Sequence, residues 1–103
     1  MTAANPVRGE ASLPIGHRQC LLRPSFDALV RAEEELGPLF ALVERAGEGQ
    51  LRLSEIAALF WHCADQHEEL TRDTVGEAVL AMGLAGAAVP LRILLGEILR
   101  GQE

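Results

Sequence analysis

The sequence predicts a small α+β domain, mainly α, in which an N-terminal β-hairpin leads into about five short helices packed as a compact bundle. Three observations predict it. The chain has 103 residues, one domain's worth, and a domain of this size buries only about 65% of its unfolded surface. Apolar residues alternate around a two-residue turn near the N-terminus and then recur at three- and four-residue spacing to the C-terminus. Gly and Pro punctuate that second pattern at short intervals. One domain over residues 10–101 is expected, with the hairpin at 10–23 and helices at about 25–100, preceded by a flexible arm at 1–9.

The hairpin rests on Ala11, Leu13 and Ile15, with Gly16-His17 as the turn and Arg18 to Leu22 returning antiparallel. Pro14 cannot donate to a ladder, so its strand should be an edge or its pairing should be broken there. Ser25 is placed to cap a first helix, with Asp27 at its positive end and Phe26, Leu29, Val30 and Leu36 as its apolar stripe, until Gly37-Pro38 stops it. Glu33 falls within that stripe where a hydrophobe would be expected. It reads as a rim carboxylate held by a nearby Arg, or as a contact for a partner.

A second helix from Pro38 carries Leu39, Phe40, Leu42, Val43 and Ala46 and ends at Gly47 and Gly49. Ser54 is expected to cap a third, with Ile56, Leu59, Phe60 and Cys63 as its buried stripe and Trp61 off that face. Asp65 to Glu69 form a polar connection. Thr71 and Asp73 open a fourth helix with Val75, Ala78, Val79 and Met82, closed by Gly83. Gly76 within it lowers its intrinsic stability by about 1 kcal/mol relative to Ala. A last helix is expected from Pro90, with Leu91, Ile93, Leu94, Leu95, Ile98 and Leu99.

Composition narrows the function. Apolar residues make up 49% and charged residues 23%, an ordinary globular balance. The net charge is −6, with nine arginines and no lysine, and a surface of that sign repels a phosphate backbone, so no nucleic acid is expected as partner. The apolar stretch from Ala78 to Leu95 is interrupted by Gly83, Gly86, Pro90 and Arg92, so no membrane span is expected. Cys20 and Cys63 follow no signal peptide and are expected as reduced thiols in a cytoplasmic protein.

Chemistry is not expected either. Cys63 and His67 stand four apart, but His17 and Cys20 would have to complete a metal site without a ligand-spaced pair to recommend them. Cys63 reads as a small core residue, and His62 and His67 as solvent-facing. The acids lie in solvated runs such as Glu33-Glu34-Glu35 and Glu68-Glu69, without a phosphate loop or a nucleophile elbow nearby. The expectation is a protein that is not an enzyme, needs no cofactor and acts by binding other proteins.

One set of residues is more specific: Asn5-Pro6-Val7-Arg8-Gly9-Glu10 ahead of the hairpin, then Leu22-Arg23-Pro24-Ser25-Phe26, Leu29, and Glu33 through Leu36-Gly37. With Leu51 to Trp61, the Thr71 segment with Gly83-Leu84, and Leu94-Leu95 to Leu99-Arg100-Gly101, this text resembles the tail protein family of gene transfer agents, phage-like particles of alphaproteobacteria. Members are described as tail assembly chaperones and in some labels as tail tube proteins. The resemblance implies a chaperone that covers the helical, apolar-rich tail tape measure protein until the tail tube protein polymerises around it. The alternative is a structural subunit of the tail tube or tail terminus, associated with the virion, and self-association is compatible with both. The resemblance transfers no catalytic residues. A tube subunit is expected to be dominated by β-strands, and this chain offers one hairpin, which favours the chaperone. Candidate contacts for a partner are Trp61, Phe40, Glu33, Ile93 and Leu99, with Trp61 first and its burial by the hairpin or the last helix as the competing expectation.

Overall fold

The computed structural model describes residues 10–100 and contains a two-stranded antiparallel sheet followed by four α-helices. The expected arm at 1–9 and residue 101 lie outside the described residues. In chain order the elements are β1 (Ala11–Ile15), β2 (Arg18–Leu22), α1 (Phe26–Leu36), α2 (Leu39–Gly47), α3 (Leu53–Cys63), a single 3-10 turn (His67–Glu69) and α4 (Arg72–Arg100).

The hairpin forms as its sequence predicts. Ile15 pairs with Arg18 across Gly16-His17, and Gly16 takes the positive φ (62°) that such a tight turn requires. Pro14 pairs in register with Gln19. In a two-residue hairpin the closing pair exchanges hydrogen bonds and the next does not, so the Pro14 nitrogen faces away from β2 and removes nothing from the ladder. Ala11 and Leu13 turn inward and Ser12 and Pro14 outward, which buries one face of β1 against α4.

At its far end the hairpin is tied to α3. Leu22 bridges Ala64, the Arg23 N–H donates to the Cys63 carbonyl at 2.7 Å, and the Asp65 N–H donates to the Leu21 carbonyl at 2.9 Å. These bonds satisfy one carbonyl that the end of α3 would otherwise leave open. Helix α3 is central. Ile56, Leu59, Phe60 and Cys63 are buried as expected, and Ala57, Ala58 and His62 are buried as well, so the helix is covered on nearly every side by α1, α4 and the strand end.

Several expectations are corrected. Of the expected α1 stripe, Leu29 and Leu36 pack against the core, while Phe26 is 85% exposed and Val30 lies at the surface. The fully buried positions of α1 are the small residues Ala28 and Ala32. Ser25 does cap α1, accepting the Ala28 N–H at 3.2 Å. Ser54 does not cap α3. The helix begins at Leu53, with Arg52 before it, and Glu55 accepts the Arg52 backbone N–H at 2.9 Å, the half of a capping box that a carboxylate supplies. Thr71 caps α4 as expected, accepting the Thr74 N–H at 3.0 Å.

The fourth and fifth helices expected from the sequence are the two halves of α4, separated by the break expected at Gly83, the single residue that leaves helical geometry (φ 80°, ψ 157°). The second half begins directly after Gly83 and not at Pro90. Pro90 sits in the helix interior and is buried with Ala87, Leu94 and Leu95, apolar burial that offsets a disruption of about 3 kcal/mol. By length and composition α4 is apolar enough to cross a bilayer. The Gly83 break leaves neither half with the roughly 20 continuous helical residues a span requires, and Val75, Val79 and Leu94 are buried in the protein's own core.

The backbone at Gly83 lies in a region that L-residues occupy only at a cost of about 1–3 kcal/mol. Gly83→Ala is therefore expected to lower the unfolding free energy by about that amount, although nothing lies within 4 Å of the added methyl group. Urea titration of both proteins measures it, and an unchanged midpoint would show that α4 runs straight through position 83.

Candidate functional site

A groove of about 440 Å³ runs between α3 and the first half of α4. Its floor is small: Ala57 and Ala58 from α3 and Gly76 from α4. A methyl group built on Gly76 would stand 3.9 Å from the Ala57 Cβ, ordinary van der Waals contact, so the two helices approach closely here. Leu53 and Leu80 form the walls, 41% and 61% exposed. Glu35, Arg72, Asp73 and Glu77 form the polar rim.

One end of this groove is fixed by a network centred on Glu35. Its carboxylate accepts from Arg72 and lies 2.9 Å from His62 Nε2, joining α1, α3 and α4. The Arg72 hydrogen bond is the main reason the Glu35 pKa falls from 4.5 to about 2, with His62 adding to it against a smaller opposing effect of burial. An ionised carboxylate only accepts, so the His62 Nε2 carries the hydrogen. His62 Nδ1 is buried without a hydrogen-bond partner. The Arg72 guanidinium lies 4.7 Å from the centre of the Trp61 ring, and the Trp61 indole N–H donates to the Leu70 carbonyl at 2.8 Å. The rings of His62 and His67 meet Trp61 edge-on.

This arrangement relocates most of the sequence-selected residues. Trp61 is off the buried stripe, as expected, and it is half-buried against the core, with Leu70, His67 and Arg72 among its neighbours. It is a structural anchor whose polar tip is satisfied. His62 is buried at 6% exposure and not solvent-facing, and His67 is half-buried. Glu33 is exposed, and it is held by a backbone group and not by an Arg: its carboxylate accepts the Leu39 N–H at 3.1 Å, capping α2. Ile93 packs against the core, whereas Phe40 (78%) and Leu99 (57%) are exposed. None of Trp61, Phe40, Glu33, Ile93 and Leu99 lines the groove. Sequence reasoning passed over Leu53, Leu80 and Glu35, the first two because they flank helical stripes and the third because it sits in an acidic run.

Cys63 is buried and its thiol is pushed up to about 12 by loss of solvation, which suits the core role expected of it. Among the described residues no cluster of three or more His, Cys, Asp or Glu side chains is arranged to hold a metal.

A helical domain with an apolar groove does not by itself name a system. Residues 8–101 match the model of a family described as phage tail tube protein, GTA-gp10. The chain belongs to this family. The match spans every described residue, from the hairpin through both halves of α4. No curated protein and no solved structure matches the chain.

The Glu35 network makes stability depend on acid. A carboxylate whose folded pKa lies below its unfolded value contributes stability that is complete above about 4.5 and disappears as pH falls toward about 2. Glu35→Gln removes that contribution, so the gap between wild type and variant in urea unfolding is expected to narrow between pH 5.5 and 2.5. A gap independent of pH would dissolve the network. Groove and anchor are also separable. Trp61→Ala is expected to cost at least about 2 kcal/mol of stability, whereas Leu80→Ser changes it by no more than about 0.5 kcal/mol. Thermal melts of the two variants decide this.

Proposed function

We propose that this protein acts in building a phage-like tail by binding other tail proteins and not by catalysis. In this reading it is an assembly chaperone that covers helical, apolar-rich segments of the tape measure protein in the host cytoplasm until the tube forms around them. The observation that carries it is the groove between α3 and α4, where Leu53 and Leu80 stand exposed over a floor of Ala57, Ala58 and Gly76. Apolar side chains of a client helix fit such a floor, because small residues let the two backbones approach.

A second reading, a subunit retained in the tail tube or tail end, is favoured by the family's own description, which names the tube. Weighing against it is the strand content. Among the described residues there is a single two-stranded sheet, and the end of β2 is already occupied by Ala64. A wall closed by strand pairing between subunits uses several free strands from each.

Quantitative mass spectrometry of purified particles, together with affinity capture of the tagged chain from lysates, separates the two. The chaperone reading expects the chain to be nearly absent from particles and to recover the tape measure protein from lysates, less so with Leu80→Asp. Many copies per tail would establish the retained subunit instead.

A further inference from the structure

The rim of the groove carries an excess of negative charge that the fold does not use. Arg72 is the one base on it and is already committed to Glu35 and to the face of Trp61. The carboxylates of Asp73 and Glu77 stand four residues apart on α4 and have no ion pair or hydrogen bond among the described residues. Like charges at that spacing repel each other on an isolated helix. Asp73 is explained by the positive end of α4, where a carboxylate is favourable, but Glu77 lies beyond the first turn.

We infer that the groove receives an amphipathic helix of a partner protein with an apolar stripe at helical spacing and Lys or Arg side chains beside it, which pair with Asp73 and Glu77. The inference rests on the tail-protein-binding reading and specifies the chemistry of the partner. A helix is the occupant because both groove walls are helices whose backbone groups are already bonded within themselves, so an extended segment would find no free edge to pair with. Apolar contact with Leu53, Leu80 and the small floor supplies affinity, and the two carboxylates select the sign of the partner and its direction along the groove.

The test uses the full chain and two fluorescently labelled helical peptides with the same leucine stripe, one flanked by Lys and one by Glu. The Lys peptide is expected to bind at least about tenfold more tightly at low salt, with the difference shrinking as salt screens it. Asp73→Asn combined with Glu77→Lys should abolish that preference, with an unchanged circular dichroism spectrum confirming the fold, and Leu80→Asp should weaken both peptides. Equal affinities, or a preference that survives the double variant, would overturn the inference while leaving the tail-protein reading intact. Failure of both peptides to bind overturns it too, and capture of tail proteins from lysates then judges the broader reading independently. A dimer in sedimentation velocity that Leu80→Asp dissociates would assign the groove to a second copy of this chain.

Discussion

Where β2 ends, its backbone meets the chain leaving α3: Arg23 donates to Cys63, Asp65 donates to Leu21, and Leu22 faces Ala64 across the bridge. This join holds the hairpin to the central helix. It sets the hairpin across the end of the central helix, which brings the inward face of β1, with Ala11 and Leu13, over α4. It also constrains the start of α1, four residues after Leu22, from where the helix packs on α3 with Ala28 and Ala32 buried. The apolar core is non-directional and would tolerate several arrangements of four helices. Backbone hydrogen bonds between a strand and a helix terminus are directional, and they select one.

Local chemistry in the sequence was read where local chemistry decides. Gly16-His17 sets the hairpin and its register, Ser25 and Thr71 set two helix starts, and the α3 stripe from Ile56 to Cys63 is buried as its spacing requires. Failures occur where a neighbour decides. The α1 stripe reads as Phe26, Leu29, Val30 and Leu36 on periodicity; Leu29 and Leu36 do reach the core, but Phe26 and Val30 face outward and Ala28 and Ala32 take the fully buried positions. Pro90 reads as a helix start because proline is commonest there, but its ring is buried with Leu94 and Leu95 and the helix continues through it. Arg52 could not be recognised as the residue before α3, because its own side chain does not cap; the Glu55 carboxylate does.

The candidate site shows the same division more sharply. Apolar side chains left off the helical stripes, Trp61 above all, are the natural contacts to read from the sequence. In the fold Trp61 is fastened by the Leu70 carbonyl and Arg72, and the groove lies elsewhere, over residues too small to attract notice. Gly76 read as a weakness in a helix; it lines the floor of the groove beside Ala57. Glu35 read as one of three solvated acids and is the group on which α1, α3 and α4 converge. Neither residue has a local signature, because both acquire their roles from side chains more than 15 positions away.

The packing of β1 against α4 has a consequence for folding. The hairpin precedes α4 in the chain, and the inward face of β1 packs against that helix. Until α4 is in place Leu13 has no completed core to enter, so an apolar strand face stays uncovered until the later helix docks. The domain closes its core by a contact between elements far apart in the chain. Its folding speed is governed by that long loop closure, not by the quick formation of its helices.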